Sequence, residues 1–180
     1  MTAAAPVDAS AASAAALPVP DAFAALYGAY EPPAFDETKG DDYRMLAAAG
    51  AEFLKHGEKG KPHARLVYVT SKLLLLWTEP GKRKAQGKPD LKQSINLARA
   101  TVPRIAVVKG KTTDNLKRDK KADPAHCLSV INARERPSLD LQAKSEQERD
   151  QWHAALSFLL HEAQIQRENA LMYGALGKPS

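Results

Sequence analysis

The chain has 180 residues, enough for one domain with its own core plus extensions. Its one cysteine, Cys127, excludes an internal disulfide framework and fits a reducing compartment, and no apolar run is long enough to span a bilayer. The net charge of +5 is unevenly distributed, because residues 51–142 hold twenty Lys and Arg against nine Asp and Glu, a net of +11. Such a segment is either a solvated, charged surface or a region that attracts acidic lipid, acidic protein or nucleic acid.

The first part of the chain, residues 1–42, is predicted to be a disordered tail. Residues 1–20 are mostly Ala, Ser, Pro and Val, so they bury too little apolar surface to offset the entropy of ordering. They also lack the basic start of a secretory signal. Residues 21–30 are richer in large apolar side chains, from Phe23 to Tyr30. This segment either packs on its own domain or is a short motif for a protein partner.

Seven short runs with β character follow, and several of them alternate apolar and polar residues. They are residues 52–56, 65–70, 73–77, 94–98, 104–109, 127–132 and 138–143. In the last run, Leu139 and Leu141 alternate with Asp140 and Gln142, as on a half-buried strand. A helical turn that stops at Gly50 precedes the first run.

One long helix ends the folded part of the chain. Ser145 and Glu148 fit a capping box, which marks the start of the helix. Apolar residues then recur at helical spacing on one face, and Trp152 and Leu156 are the predicted core residues of that face. The pattern runs up to Gly174, a typical helix stop. The expected fold is therefore mainly β, with seven strands closed by a C-terminal helix.

Several stretches, taken in chain order, carry a family resemblance: Phe53-Leu54-Lys55 with Gly57, Arg65 to Val69, Leu73 to Trp77, Ser138 to Leu141 and Glu148 to Leu160. With a basic loop between the first two strands and a tryptophan on the last helix, this order resembles a pleckstrin homology (PH) domain over residues 43–163. The stretch 50–63 is similar to PH domains of phospholipase C-type and plant RCC1-repeat proteins. The resemblance implies a seven-stranded barrel or sandwich capped by one long helix, with a helix extension and tail over residues 164–180.

The first hairpin holds a partial version of a phosphate-binding pattern. In PH domains a Lys, followed after a gap by Lys/Arg-X-Arg, often grips inositol phosphates, and the resemblance places Lys55 first and Arg65 last. His63 stands where Lys or Arg is common, and Gly57 where strong binders are often basic. The predicted ligand-binding residues are Lys55, Lys59, Lys61, His63, Arg65, Lys82, Arg83 and Lys84. Arg can fork two hydrogen bonds to a phosphate, and Lys adds a point charge.

Two functions stay open at this point. The first is a non-enzymatic adaptor that binds phosphoinositide headgroups or acidic membrane. The second is a docking scaffold in a cytoskeletal assembly, for example a ciliary or axonemal one, with weak or no lipid binding. In that case residues 21–30 and the helix end from Ile165 to Tyr173 would contact partners.

Other functional classes are disfavoured by what the sequence lacks. It has no P-loop, no G-x-S-x-G motif and no cluster with metal-ligand spacing, so we expect no catalysis, no cofactor and no metal site. Its basic residues lack the interleaved exposed aromatics that stack on nucleic acid bases. We expect a cytoplasmic protein, free or peripheral at a membrane or the cytoskeleton.

Overall fold

The computed structural model describes residues 35–82, 93–99, 105–132 and 138–175. In chain order its elements are helix α1 (Gly40–Ala49), strands β1 (Ala51–His56), β2 (His63–Val69), β3 (Leu74–Thr78), β4 (Ser94–Asn96) and β5 (Ile105–Lys109), helix α2 (Asp114–Arg118), strands β6 (Cys127–Asn132) and β7 (Leu139–Gln142), and helix α3 (Glu146–Ala175). The predicted class, mainly β with seven strands and a C-terminal helix, is confirmed. The predicted motif at residues 21–30 lies outside the described residues.

The seven strands form one antiparallel sheet in the order β4-β3-β2-β1-β7-β6-β5. First and last strands therefore pair in the middle of the sheet, and β4 and β5 are its two edges. Helix α3 lies against β5 at one edge and against the 3-10 turn Leu97–Arg99, which follows β4, at the other. The helix thus covers the space between the two edges, where exposed strands would otherwise invite pairing with other chains.

The core fills the space between the inner face of the sheet and α3. Trp152 on α3 is 0% exposed, and its ring meets Phe53 of β1 edge to face, with ring centroids 5.2 Å apart at 85°. Such edge-to-face pairs add to the stabilisation from apolar burial. Leu156, one turn along the same face, is also buried.

The start of α3 is capped by the two predicted residues. The backbone N–H of Glu148 donates to Ser145 Oγ at 3.1 Å, and the Glu148 carboxylate accepts from the backbone N–H of Lys144 at 2.8 Å. This second bond goes to the residue before the cap, one position earlier than in a capping box. The predicted stop at Gly174 is wrong, because the helix continues to Ala175. Glycine lowers helix propensity but does not by itself end a helix.

Helix α1 begins earlier than the sequence predicts. Residues up to 42 were expected to belong to the tail, yet Gly40 already starts the helix, which stops as predicted at Gly50, with φ 81°. A Cβ at Gly40 would lie 2.8 Å from Phe158 on α3, so glycine permits the close approach of the two helices. Arg44 adds an ion pair to Glu162 across the same contact. Tertiary packing therefore orders an acidic stretch that resembles a linker by composition.

Candidate functional site

Three residues predicted to bind phosphate lie together on the inner face of the β1–β2 hairpin. Lys55 pairs directly across from His63, and Arg65 pairs across from Phe53. Side chains that face each other across antiparallel strands, and those two positions apart on one strand, share a face. Lys55, His63 and Arg65, here called the inner cluster, therefore lie on the same face as the buried Phe53, where β1 and β2 meet their connecting loop.

Lys55 holds a charge in an environment that disfavours it. Its side chain is half-buried, and desolvation lowers the pKa of its ammonium from the ordinary 10.5. The nearby Arg65 guanidinium lowers this pKa further, and the Asp140 carboxylate opposes both effects. Within the described residues, neither Lys55 nor Arg65 forms a salt bridge. An anion bound between them would relieve the repulsion and replace the lost hydration.

The loop that joins β1 to β2 adds two cations beside the inner cluster. Lys59 and Lys61 are both exposed, and in the described parts of the chain neither is paired with a carboxylate. Gly60 between them has φ 91°, a left-handed conformation that glycine adopts without steric cost. The loop therefore presents two free ammonium groups to solvent.

Lys82 lies at the same end of the sheet, but its ammonium already forms an ion pair with a carboxylate. Its ammonium lies 2.6 Å from Glu79, which follows β3, and both side chains are exposed. The Lys82 contact is the main reason that the pKa of Glu79 is lowered, and Arg65 lowers it slightly more. Glu79 thus adds an acid beside the inner cluster that the sequence did not reveal, since only the β2–β3 register places it near Arg65. The other two predicted residues, Arg83 and Lys84, lie outside the described residues.

Neither a metal site nor a membrane-spanning helix is found among the described residues. No group of three His, Cys, Asp or Glu side chains there could hold a metal ion. Each described helix is too short or too polar to cross a bilayer. Cys127 is buried, which raises the pKa of its thiol to about 11, so it lacks the thiolate character of a reactive or metal-binding cysteine.

The comparison with protein families decides the classification. The family model of the PH domain matches residues 49–161, from the last residue of α1 into α3. The chain belongs to the PH domain family. The resemblance stated from the sequence is therefore confirmed. PH domains are generally non-catalytic modules.

A search of solved structures found similar chains, several of them PH domains, at low sequence identity. Inner Membrane Complex Sub-compartment Protein 3 from Toxoplasma gondii is 14% identical, with 73% of this chain and 90% of that chain covered and a TM-score of 0.46. The human oxysterol-binding protein-related protein 11 PH domain is 16% identical, with coverages of 73% and 87% and a TM-score of 0.45. The PH domain from TgAPH is 18% identical, with coverages of 71% and 93% and a TM-score of 0.45. No curated protein matched the sequence.

Proposed function

We propose that this PH domain is a non-enzymatic adaptor that binds phosphoinositide headgroups, or acidic membrane lipids more generally, through the inner cluster and the adjoining loop. It would act in the cytoplasm and associate peripherally with membranes. One observation carries the proposal. Lys55 is half-buried beside Arg65, and no salt bridge compensates either charge among the described residues.

A phosphate suits this arrangement better than a carboxylate or a neutral ligand does. Arg65 can fork two hydrogen bonds to adjacent phosphate oxygens, and Lys55 can supply a further charge-assisted bond from the neighbouring strand. Lys59 and Lys61 are exposed in the loop above, where a headgroup or the bilayer surface would meet them. Near an anionic leaflet, each such cation contributes about 1 kcal/mol.

The test is co-sedimentation with vesicles of phosphatidylcholine that contain phosphatidylserine or a polyphosphorylated phosphoinositide. The double variant Lys55→Gln/Arg65→Gln should bind at least about tenfold more weakly, since two contacts of about 1 kcal/mol are lost. The matched control is Lys72→Gln/Arg167→Gln, which removes one Lys and one Arg from the β2–β3 hairpin and from α3. Equal loss in both double variants would mean that only total charge matters, and unchanged binding in the first would refute the proposal.

The salt dependence of vesicle binding and a substitution of Glu79 provide two further tests of the proposed site. Binding to a defined headgroup site should persist between about 0.1 and 0.5 M salt better than diffuse surface attraction does. Glu79→Gln removes the acid beside Arg65 and releases Lys82, so it should strengthen binding. Weaker binding in this variant would contradict a phosphate site in the inner cluster.

A second candidate function is protein docking, and the end of α3 favours it. Beyond the buried Ala163, three large apolar side chains in the described part of the helix are exposed: Ile165 at 44%, Leu171 at 66% and Met172 at 59%. Exposed apolar residues on a projecting helix suit a groove on a partner protein. Cross-linking in a cell extract should yield a partner that Leu171→Ser/Met172→Ser loses and Lys55→Gln/Arg65→Gln keeps. A partner kept by both variants would contradict docking through this helix.

A further inference from the structure

The last part of α3 continues beyond the domain core. The helix has 30 residues, and its positions 165–172 are all exposed, whereas Ala163, just before them, is buried. The PH family model ends at residue 161, so residues 164–175, here called the α3 extension, lie outside the family match. At 1.5 Å per residue this extension adds about 18 Å of helix. Its apolar side chains therefore do not serve the core of the domain.

The apolar residues of α3 end on one side of the helix and continue on another. Residues seven positions apart lie nearly on one line along a helix. On the core side, the line through the buried Leu159 reaches Gln166, which is polar and exposed. On a neighbouring side, Phe158 is followed by Ile165 and Met172, which stay apolar although they are 44% and 59% exposed. Phe158, Ile165 and Met172 are here called the lateral stripe.

Helix α1 already covers the first residue of the lateral stripe. Phe158 is 8% exposed, and its ring centroid lies 5.5 Å from that of Tyr43 on α1. The Arg44 guanidinium of α1 lies 5.3 Å from the same Phe158 ring and forms an ion pair with Glu162 beside it. This side of α3 thus binds a helix that contributes an apolar surface and a cation. In the described part of the chain, the stripe beyond Glu162 has no such cover.

An acid lies beside the exposed part of the lateral stripe. At about 100° per residue, Glu168 is on the opposite flank of the stripe from Glu162. Its carboxylate accepts a hydrogen bond from Gln164 at 2.8 Å, but no Lys or Arg pairs with it among the described residues. A cation on a helix packed against the stripe would give Glu168 the partner that Arg44 gives Glu162.

The same acid disfavours a second copy of this chain as the occupant. An antiparallel pair of extensions that matched Ile165 with Met172 of the other copy would have its two-fold axis between positions 168 and 169. Both Glu168 carboxylates would then lie at the axis, where like charges repel each other. A helix from a different protein can instead place a Lys or Arg at this point.

We propose that the exposed part of the lateral stripe binds an amphipathic helix of a partner protein. This helix packs apolar residues on Ile165 and Met172, places a Lys or Arg against Glu168, and follows α1 along the same side of α3. The inference rests on the second candidate function, protein docking through the end of α3, and names the kind of partner. It is independent of headgroup binding by the inner cluster.

Photo-cross-linking identifies what lies on the lateral stripe. The full chain carries p-benzoylphenylalanine in place of Met172 and is irradiated in an extract of the cells that express it. Arg167 is the matched control position, because it is exposed and, two residues after Ile165, lies on the opposite side of the helix. The expected product forms from position 172 but not from position 167, and mass spectrometry places the link in a basic amphipathic helix of another protein.

The other outcomes overturn the inference and separate it from the docking function. A link to a second copy, or to residues 1–34 of the same chain, would show that the stripe has a different occupant. A link to an acidic or non-helical segment of another protein would overturn the inference and leave protein docking intact. Absence of a product specific to position 172 would overturn docking through this helix as well.

Charge reversal then tests the pairing with Glu168, with the captured helix as a synthetic peptide. Glu168→Lys should lower the affinity for this peptide about fivefold, the size expected for loss of an exposed ion pair. Replacement of the facing Lys or Arg of the peptide by Glu should restore the affinity. Arg167→Glu is the control, since it changes the charge on the other side of the helix, and it should have no effect. Equal affinity of Glu168→Lys and the unaltered protein would overturn the proposed pairing.

Discussion

The imidazole of His153 should make the stability of the domain depend on pH. His153 lies on α3 against β5, where burial is the main cause that lowers its pKa from 6.5 to about 4. The Lys109 ammonium lowers this pKa further, while a hydrogen bond with the Val107 backbone and the Asp150 carboxylate oppose the shift only in part. The folded protein therefore keeps this ring neutral at a pH where a free histidine is protonated.

The sign and size of the effect follow from the two pKa values. Between pH 6.5 and about 4, the unfolded chain binds a proton at His153 that the folded chain does not. His153 therefore does not lower the free energy of unfolding above pH 6.5, and it lowers this free energy progressively as the pH drops through this interval. A shift from 6.5 to about 4 would correspond to about 3 kcal/mol. Because the ring is only partly buried, solvent screening reduces this to about 1–2 kcal/mol.

Urea unfolding at about pH 7 and about pH 4.5 measures the effect. The free energy of unfolding of the unaltered protein should fall by about 1–2 kcal/mol more than that of His153→Gln, which has no proton to gain. His161→Gln, at an exposed histidine of the same helix, is the control and should keep the full fall. An equal fall in His153→Gln and the unaltered protein would refute this account of the α3–β5 contact.

Three substitutions test the packing by urea unfolding. Gly50→Ala should lower the free energy of unfolding by about 2–3 kcal/mol, because residue 50 has φ 81° and the new Cβ would lie 2.8 Å from the Val67 carbonyl oxygen. A decrease below about 0.5 kcal/mol would contradict this prediction. Trp152→Ala should cost about 3–5 kcal/mol through the cavity left against Phe53, and a native-like midpoint would contradict its place in the core. Asp140→Ala should cost about 1–3 kcal/mol, because it leaves buried hydrogen-bond donors without their acceptor; a more stable variant would show that burying this carboxylate costs more than its bonds contribute.

The fold was predictable because its main signals are local. Apolar alternation in the β7 segment and the helical spacing around Trp152 depend only on near neighbours, and a strand and a helix form there as predicted. The half-buried pattern predicted for β7 is wrong, because Asp140 is 0% exposed and accepts hydrogen bonds from Asn115 and Ser129. Gly50 ends α1 as predicted, since its positive φ suits glycine. The start of α1 could not be predicted, because Gly40 packs closely against Phe158, which lies far along the chain. Local sequence patterns carry no information about such a contact.

The candidate site was predictable in composition but not in arrangement. Lys55 and Arg65 were identified from the hairpin, yet whether they share a face depends on the β1–β2 register, which the sequence does not state. Glu79 was overlooked because its closeness to Arg65 comes from the β2–β3 register. A contact between His56 and Asp119, with Nδ1 and Oδ2 3.3 Å apart, could not be predicted for a similar reason, since these residues are 63 positions apart in the chain.

The most direct test of the central claim is an NMR titration of the isotope-labelled full chain with soluble inositol trisphosphate, read at the backbone amides. A headgroup site in the inner cluster should give saturable shifts that are largest between Lys55 and Arg65, with little change at the opposite hairpin around Lys72. Lys55→Gln/Arg65→Gln should abolish these shifts. Absence of saturable shifts, or shifts of similar size at both ends of β2, would contradict a headgroup site in the inner cluster.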